Sequence, residues 1–202
     1  ISNAGTVCGS CKPLLQNLVG EKASLDKDKH SISLSIAAIL AIAFVAIFAT
    51  TPALTVSDSV IDAPWFESIW NDKFYKQVTG FSMLGLTALA MLLSLRKRIK
   101  NSKLGDFAHW RLSHVIFTVI AGTLIVAHTG FNAGENLNFW LISNFLAALA
   151  LGALTALIIG QSHRLKPSKA QTLRSNLRWL HIFITWPLPV LLIMHIITVY
   201  YF

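Results

Sequence analysis

Long runs without charge dominate this chain. Residues 31–57, 77–95, 112–134, 136–163 and 179–202 hold no Asp, Glu, Lys or Arg, and they are 27, 19, 23, 28 and 24 residues long. A helix crosses the hydrocarbon core of a bilayer with about 20 apolar residues, so every run is long enough or nearly so. In lipid each backbone amide must find its partner within its own segment, which makes such spans helices. A barrel requires short segments of alternating polarity, whereas these runs are continuous. The pattern predicts an all-α integral membrane bundle of five transmembrane helices, without internal repeats or low-complexity tracts.

Composition agrees. Apolar residues make up 54% of the chain and charged residues 13%, against about 25% charged in soluble domains. That balance excludes a soluble enzyme, a disordered chain, a nucleic-acid binder and a disulfide scaffold. The net charge of +8 would suggest an acidic partner in a soluble protein. Here the charges are sorted between loops. Residues 96–111 carry Arg96, Lys97, Arg98, Lys100, Lys103 and Arg111 against Asp106 alone, and residues 164–178 carry Arg164, Lys166, Lys169, Arg174 and Arg178 with no acid. The positive-inside rule puts both loops in the cytoplasm. Residues 57–76 hold Lys73 and Lys76 against Asp58, Asp62, Glu67 and Asp72, and the turn near 130–138 holds only Glu135. These face outward. The N-terminal segment falls inside by alternation, so the N-terminus is cytoplasmic and the C-terminus outside. The expected location is a bacterial inner membrane.

Aromatic anchors fit this topology. Trp110 and Trp179 fall at inner helix ends, while Trp65, Trp70, Trp140, Tyr200 and Tyr201 cluster at the outer face. Amphipathic rings favour the headgroup level, and all are read as anchors. Residues 64–70 suit a short amphipathic piece in the interface.

The sharpest chemical signal is four histidines. His114 and His128 lie 14 residues apart in the third span, and His181 and His195 lie 14 apart in the fifth. Ionisable side chains inside a membrane are costly and usually functional. Fourteen residues rise about 21 Å and fall about 40° short of four turns. Each helix therefore presents two imidazoles on nearly one face, one near each leaflet. Both spans run from inside to outside, so His114 is level with His181, and His128 with His195. Each level offers two axial imidazoles to one haem iron. Iron with both axial positions filled carries electrons and does not bind oxygen. A proton relay, a metal site or plain interhelical hydrogen bonding are the competing readings.

Several neighbours are candidates for the haem environment. Gly122, at the midpoint of the third span, would admit a porphyrin or a partner helix. The run Trp186-Pro187-Leu188-Pro189 should kink the fifth span, since each Pro removes a donor. Trp186 then either lies between the two haem edges or packs with its N–H satisfied. Arg111 and Arg178, with His109 and Arg174, are candidates to meet inner-haem propionates; plain positive-inside charge explains them as well. His30, His109 and His163 fall at cytoplasmic helix ends.

These residues carry a resemblance. Paired histidines at this spacing look like the transmembrane domains of ferric reductases and NADPH oxidases, and the cytochrome b of quinol-oxidising complexes is similar in plan. The stretch from Leu180-His181 through Trp186-Pro187-Leu188-Pro189 and His195 to Tyr200-Tyr201-Phe202 is similar to the last helix of bacterial ferric-reductase-like membrane proteins. The resemblance covers roughly residues 110–202, about half of the chain. It implies two stacked b-type haems and electron transfer through the membrane. Those families continue into flavin and nicotinamide domains after the last helix, whereas this sequence stops at Phe202.

Cys8 and Cys11 form a C-x-x-C pair. Half a zinc site, a redox disulfide, half an iron–sulfur site and incidental thiols all fit that spacing. The surrounding Val7-Cys8-Gly9-Ser10-Cys11-Lys12-Pro13-Leu14-Leu15 resembles the second half of the bacterioferritin-associated-ferredoxin-like [2Fe–2S] domain, also present in assimilatory nitrite reductases. The family's other Cys pair, upstream, is missing here, and a cluster takes four ligands. The resemblance thus implies a partial ligand set. With Ile1 in place of Met, the expectation is a remainder of a longer polypeptide. Residues 1–30 read as the end of an iron–sulfur domain plus linker, and 31–202 as the dihaem membrane domain.

The expected function is transmembrane electron transfer from a cytoplasmic flavin or iron–sulfur donor, on a flavoprotein domain or subunit, to an outer acceptor. That acceptor is a periplasmic c-type cytochrome, a reductase or a metal. No acid/base pair or nucleophile is present within the spans, so the chain reads as an electron-transfer module of an oxidoreductase. One alternative is a quinol-reactive membrane anchor, with a quinone pocket lined by Asn132, Asn136 or Asn138. Another, from a different class, is a non-redox assembly or transport protein.

Overall fold

The computed structural model describes residues 15, 16, 18–20, 27–53, 68–70, 72–98 and 105–201. Cys8, Cys11 and Trp65 lie outside the described residues, as does most of the expected iron–sulfur segment. Helices account for the described chain: α1 (Ser31–Thr50), α2 (Lys73–Arg98), α3 (Phe107–Thr129), α4 (Asn136–Gly160), α5 (Pro167–Thr185) and α6 (Leu188–Tyr201), with a 3-10 turn at Ser162–Arg164. No strand occurs among the described residues. Five segments are long and apolar enough to cross a membrane, α5 and α6 together forming the fifth. The protein is a multi-pass helical membrane bundle.

Local chemistry fixes the helix ends. The Asp72 carboxylate accepts the Phe74 N–H at 2.7 Å to start α2, and Asp106 accepts the Ala108 N–H at 3.1 Å to start α3, both satisfying orphan first-turn donors. That bond to Ala108, with Lys29, His109 and His30 nearby, holds the Asp106 carboxyl below its ordinary 3.8. Helix α3 stops at Gly130, whose φ of 59° gives the left-handed cap and whose N–H bonds the Val126 carbonyl at 2.8 Å. Glycine adopts that conformation without a Cβ penalty. Pro167 opens α5, where its missing N–H costs nothing.

The fifth span breaks where its prolines predict. Helix α5 ends at Thr185 and α6 begins at Leu188. Pro187 and Pro189 donate no N–H, and the chain compensates with an i−3 bond from Trp186 N–H to the Phe183 carbonyl at 3.4 Å.

Helix α1 packs on α3 and α4 with one face. Leu34, Ala38 and Ala41 pack on Val115 of α3 and on Leu149, Ala153 and Ala156 of α4 to form the buried core. Alanine and glycine dominate because dispersion, not hydrophobic exclusion, drives association in lipid, and small residues bring backbones close. At the α1–α4 contact a Cβ on Gly160 would fall 2.7 Å from Ser35 Oγ and 2.9 Å from the Ser31 carbonyl. Gln161 Nε2 donates to Ser35 Oγ across the same contact at 2.8 Å. Helix α2 packs on α3, and α5 and α6 pack on α4. Large apolar side chains cover the outside, among them Ile36, Phe74, Phe183 and Val190, as expected of a surface meeting acyl chains.

Candidate functional site

Up–down connectivity makes α3 parallel to the α5–α6 pair, with α4 running between them. The two expected histidine pairs form. The rings of His114 and His181 have centres 6.4 Å apart with planes at 89°, and those of His128 and His195 have centres 6.4 Å apart with planes at 75°. We call these the first and second levels. Both pairs are disposed edge to face. A metal–imidazole bond of about 2 Å, with the ring centre about 1.2 Å behind the nitrogen, puts two imidazoles on opposite sides of a metal about 6.4 Å apart. The observed separation fits that geometry at both levels.

Each imidazole is anchored through Nδ1 to a neighbouring helix. At the first level His114 Nδ1 lies 2.8 Å from the Ala90 carbonyl of α2, and His181 Nδ1 lies 3.0 Å from the Ala148 carbonyl of α4. A carbonyl only accepts, so Nδ1 carries the proton in both rings and Nε2 carries the lone pair. At the second level His195 Nδ1 lies 2.8 Å from Asn138 Oδ1, and His128 Nδ1 lies 3.0 Å from Thr79 Oγ1. The Thr79 hydroxyl donates its own proton to the Tyr75 carbonyl at 2.9 Å, which leaves its oxygen to accept from His128. Every ring thus has its Nδ1 held by a partner, which leaves Nε2 as the nitrogen that could meet a metal.

Two glycines make room for these rings. A Cβ on Gly80 of α2 would stand 3.2 Å from His128 Cε1, and one on Gly152 of α4 would stand 3.1 Å from His181 Cε1. Among the described residues no group of three or more His, Cys, Asp or Glu gathers anywhere. A bare ion requires about four to six donors, and two imidazoles at trans spacing do not complete that set. A macrocycle supplying four equatorial nitrogens does, so the donor set fits haem better than a free cation.

Other expected participants fall elsewhere. Gly122 is buried against α1 and α4, where a Cβ would meet Leu149 Cδ2 at 2.9 Å and Phe44 at 3.6 Å. There it serves the contact with the partner helices, since the face of α3 carrying it is turned to the core. Trp186 sits at the α5–α6 break and is 80% exposed, so it does not pack within the protein. Arg111 pairs with Asp28 and stacks over the Phe107 ring at 5.3 Å. Arg178 is exposed on α5. His30 and His109 meet edge to face at 4.6 Å beside the Arg111–Asp28 pair. Trp70 is more than an interface anchor: its indole N–H bonds the Val126 carbonyl at 3.0 Å and its ring covers Gly130 at the end of α3.

The asparagines of the quinone alternative have structural work. Asn138 anchors His195, and Asn132 Oδ1 accepts the Gly134 N–H at 2.8 Å within the turn. Asn136 begins α4 with a φ of 50°.

Ala90, Ala148, Thr79 and the paired glycines were invisible to a search for reactive side chains. A backbone acceptor has no sequence signature. Gly80 and Gly152 were the available signal, as glycines inside spans opposite a histidine helix. No family model, curated protein or solved structure matches the chain.

Proposed function

We propose that this chain is a dihaem b-type cytochrome that transfers electrons across the membrane. The observation that carries the reading is the two imidazole couples with ring centres 6.4 Å apart, each ring held through Nδ1 so that Nε2 would be the ligating nitrogen. His114 and His181 would hold one haem, and His128 and His195 the other. When bound, haem supplies one-electron ferric–ferrous chemistry that no side chain provides. The four histidines would hold the haems, and their Nδ1 partners would orient the imidazoles. Haem held by two histidines in this way would suit outer-sphere electron transfer and not oxygen or substrate binding. The levels are separated by about 21 Å along the helices, given 14 residues of rise.

Loop charges put the first level on the cytoplasmic side. A flavin or iron–sulfur donor would deliver there, and an acceptor such as a c-type cytochrome or ferric iron would draw from the second level. Cys8 and Cys11 would contribute part of a [2Fe–2S] ligand set on that donor side. The likeness to ferric-reductase and NADPH-oxidase membrane domains points the same way. The positive loops and membrane bundle suit a bacterial inner membrane.

The test is vectorial electron transfer. Purified protein is placed in liposomes loaded with ferricyanide, and dithionite is added outside. Trapped ferricyanide should bleach with the wild-type protein and not with His128→Ala. Equal rates in liposomes with and without protein would refute the function. Acid-labile sulfide counted on the same preparation tests the cysteine assignment.

A further inference from the structure

The two levels hold equivalent rings with different kinds of partner. Both first-level acceptors are main-chain carbonyls in mid-helix, at Ala90 and Ala148. At the second level side chains stand at both rings, Thr79 at His128 and Asn138 at His195, and the Lys76 main chain also bonds His128. A carbonyl locked into a helix cannot be altered by substitution without moving the helix. A side-chain acceptor can be exchanged. We propose, on the basis of the haem reading above, that Thr79 and Asn138 are positioning residues that set the reduction potential of the second-level haem independently of the first.

The physical chain is short. An acceptor on Nδ1–H draws the proton away and makes the imidazole a stronger electron donor through Nε2. A stronger donor stabilises ferric over ferrous iron and lowers the potential. Thr79 is oriented for this because the Tyr75 and Lys76 carbonyls, at 2.9 and 3.2 Å, can take its hydroxyl proton and leave its oxygen to His128. Asn138 is held by the turn before α4. Gly134, at φ 68°, comes so close that a Cβ there would lie 2.8 Å from Asn138 Cβ, and Asn132 Oδ1 braces that glycine's N–H at 2.8 Å. The asparagine amide therefore presents its oxygen to His195 from a fixed backbone.

The experiment is a redox titration of the full purified chain, followed optically and by electron paramagnetic resonance. His114→Ala, which keeps only the second-level haem, assigns the two potentials. Asn138→Asp puts a full negative charge on the His195 N–H and should lower the second potential. Thr79→Val keeps the shape, removes the acceptor, and should raise it. Thr79→Ser restores the hydroxyl and should return it to the wild-type value. The first potential should stay fixed throughout. Loss of only the second haem in Asn138→Leu, with the first retained, would also uphold the anchoring role. Two haems with unmoved potentials in both Asn138→Asp and Thr79→Val would overturn this inference alone, as would equal shifts of both haems. A wild-type protein without two b haems would overturn the underlying reading as well.

Discussion

The first and second histidine levels present the same ring spacing, 6.4 Å, built by different means. At the first level the surrounding helices do everything: α2 and α4 supply main-chain acceptors, and Gly152 admits the His181 ring. At the second level the helices are near their ends, and the side chains of Thr79 and Asn138 join the Lys76 main chain around the rings. Thr79 lies within the first two turns of α2 and Asn138 within the first turn of α4. The comparison teaches that one geometric requirement can be met by backbone where helices are regular and by side chains where they begin. It also separates what is fixed from what evolution or an experimenter can tune.

Ligand removal breaks the comparison most severely. His114→Ala or His181→Ala should halve the haem content by removing the first-level haem, and His128→Ala should remove the other. Optical spectra with a potentiometric assignment read this directly. If His114→Ala and His128→Ala abolished the same haem, the two-level arrangement would fail. Filling the glycine notches comes next. Gly152→Leu should displace His181 and empty the first level, whereas Gly80→Leu should displace His128 and empty the second. In each case the opposite haem should remain, as the clashing atom belongs to one ring.

Gly122→Leu sharpens the contrast in another way. Its side chain would press on Leu149 and Phe44 in the shared core, costing about 1–3 kcal/mol as overpacking. The expected result is lower thermal stability with both haem levels affected alike. Retained stability would show that the core can yield there.

The smallest effect concerns the α3 cap. Asp106→Ala should cost about 0.5–1 kcal/mol, the low end for an exposed cap. Because the folded-state pKa is depressed below 3.8, the contribution is present above that value and lost as pH falls below it. The stability difference between wild type and Asp106→Ala should vanish in acid, read by thermal melts across pH.

Much of this arrangement was legible in the sequence. Charge-free runs located every span, but charge marks helix ends poorly. Helix α2 runs from Lys73 to Arg98 and α5 starts at Pro167, well into charged sequence, because long basic side chains reach the interface from inside a helix. The run to residue 57 overshoots α1, which ends at Thr50. The Trp186–Pro187 break follows from proline chemistry and was expected. The equal spacing of the four histidines foretold which rings would meet, since rise and turn are fixed by helix geometry. It did not foretell the facing of Gly122, which depends on where α1 packs, nor the pairing of Arg111 with Asp28, which depends on the chain returning from far away. The Nδ1 partners come from helices other than those bearing the ligands, so no local pattern reveals them.

Ring orientation offers a spectroscopic check. If these rings held haem iron as proposed, planes at 89° and 75° would leave the two iron dπ orbitals nearly degenerate and orbital momentum poorly quenched. The oxidised protein should show highly anisotropic low-spin signals at large gmax, and ordinary rhombic signals would mean parallel rings.

The most direct measurement is haem stoichiometry on the purified chain by pyridine haemochrome, with protein concentration determined independently. The account predicts two b haems per chain, falling to one in His114→Ala and in His128→Ala. A wild-type protein that carries no haem after expression with ample haem supply would contradict it, and the four histidines would then serve another role within the bundle.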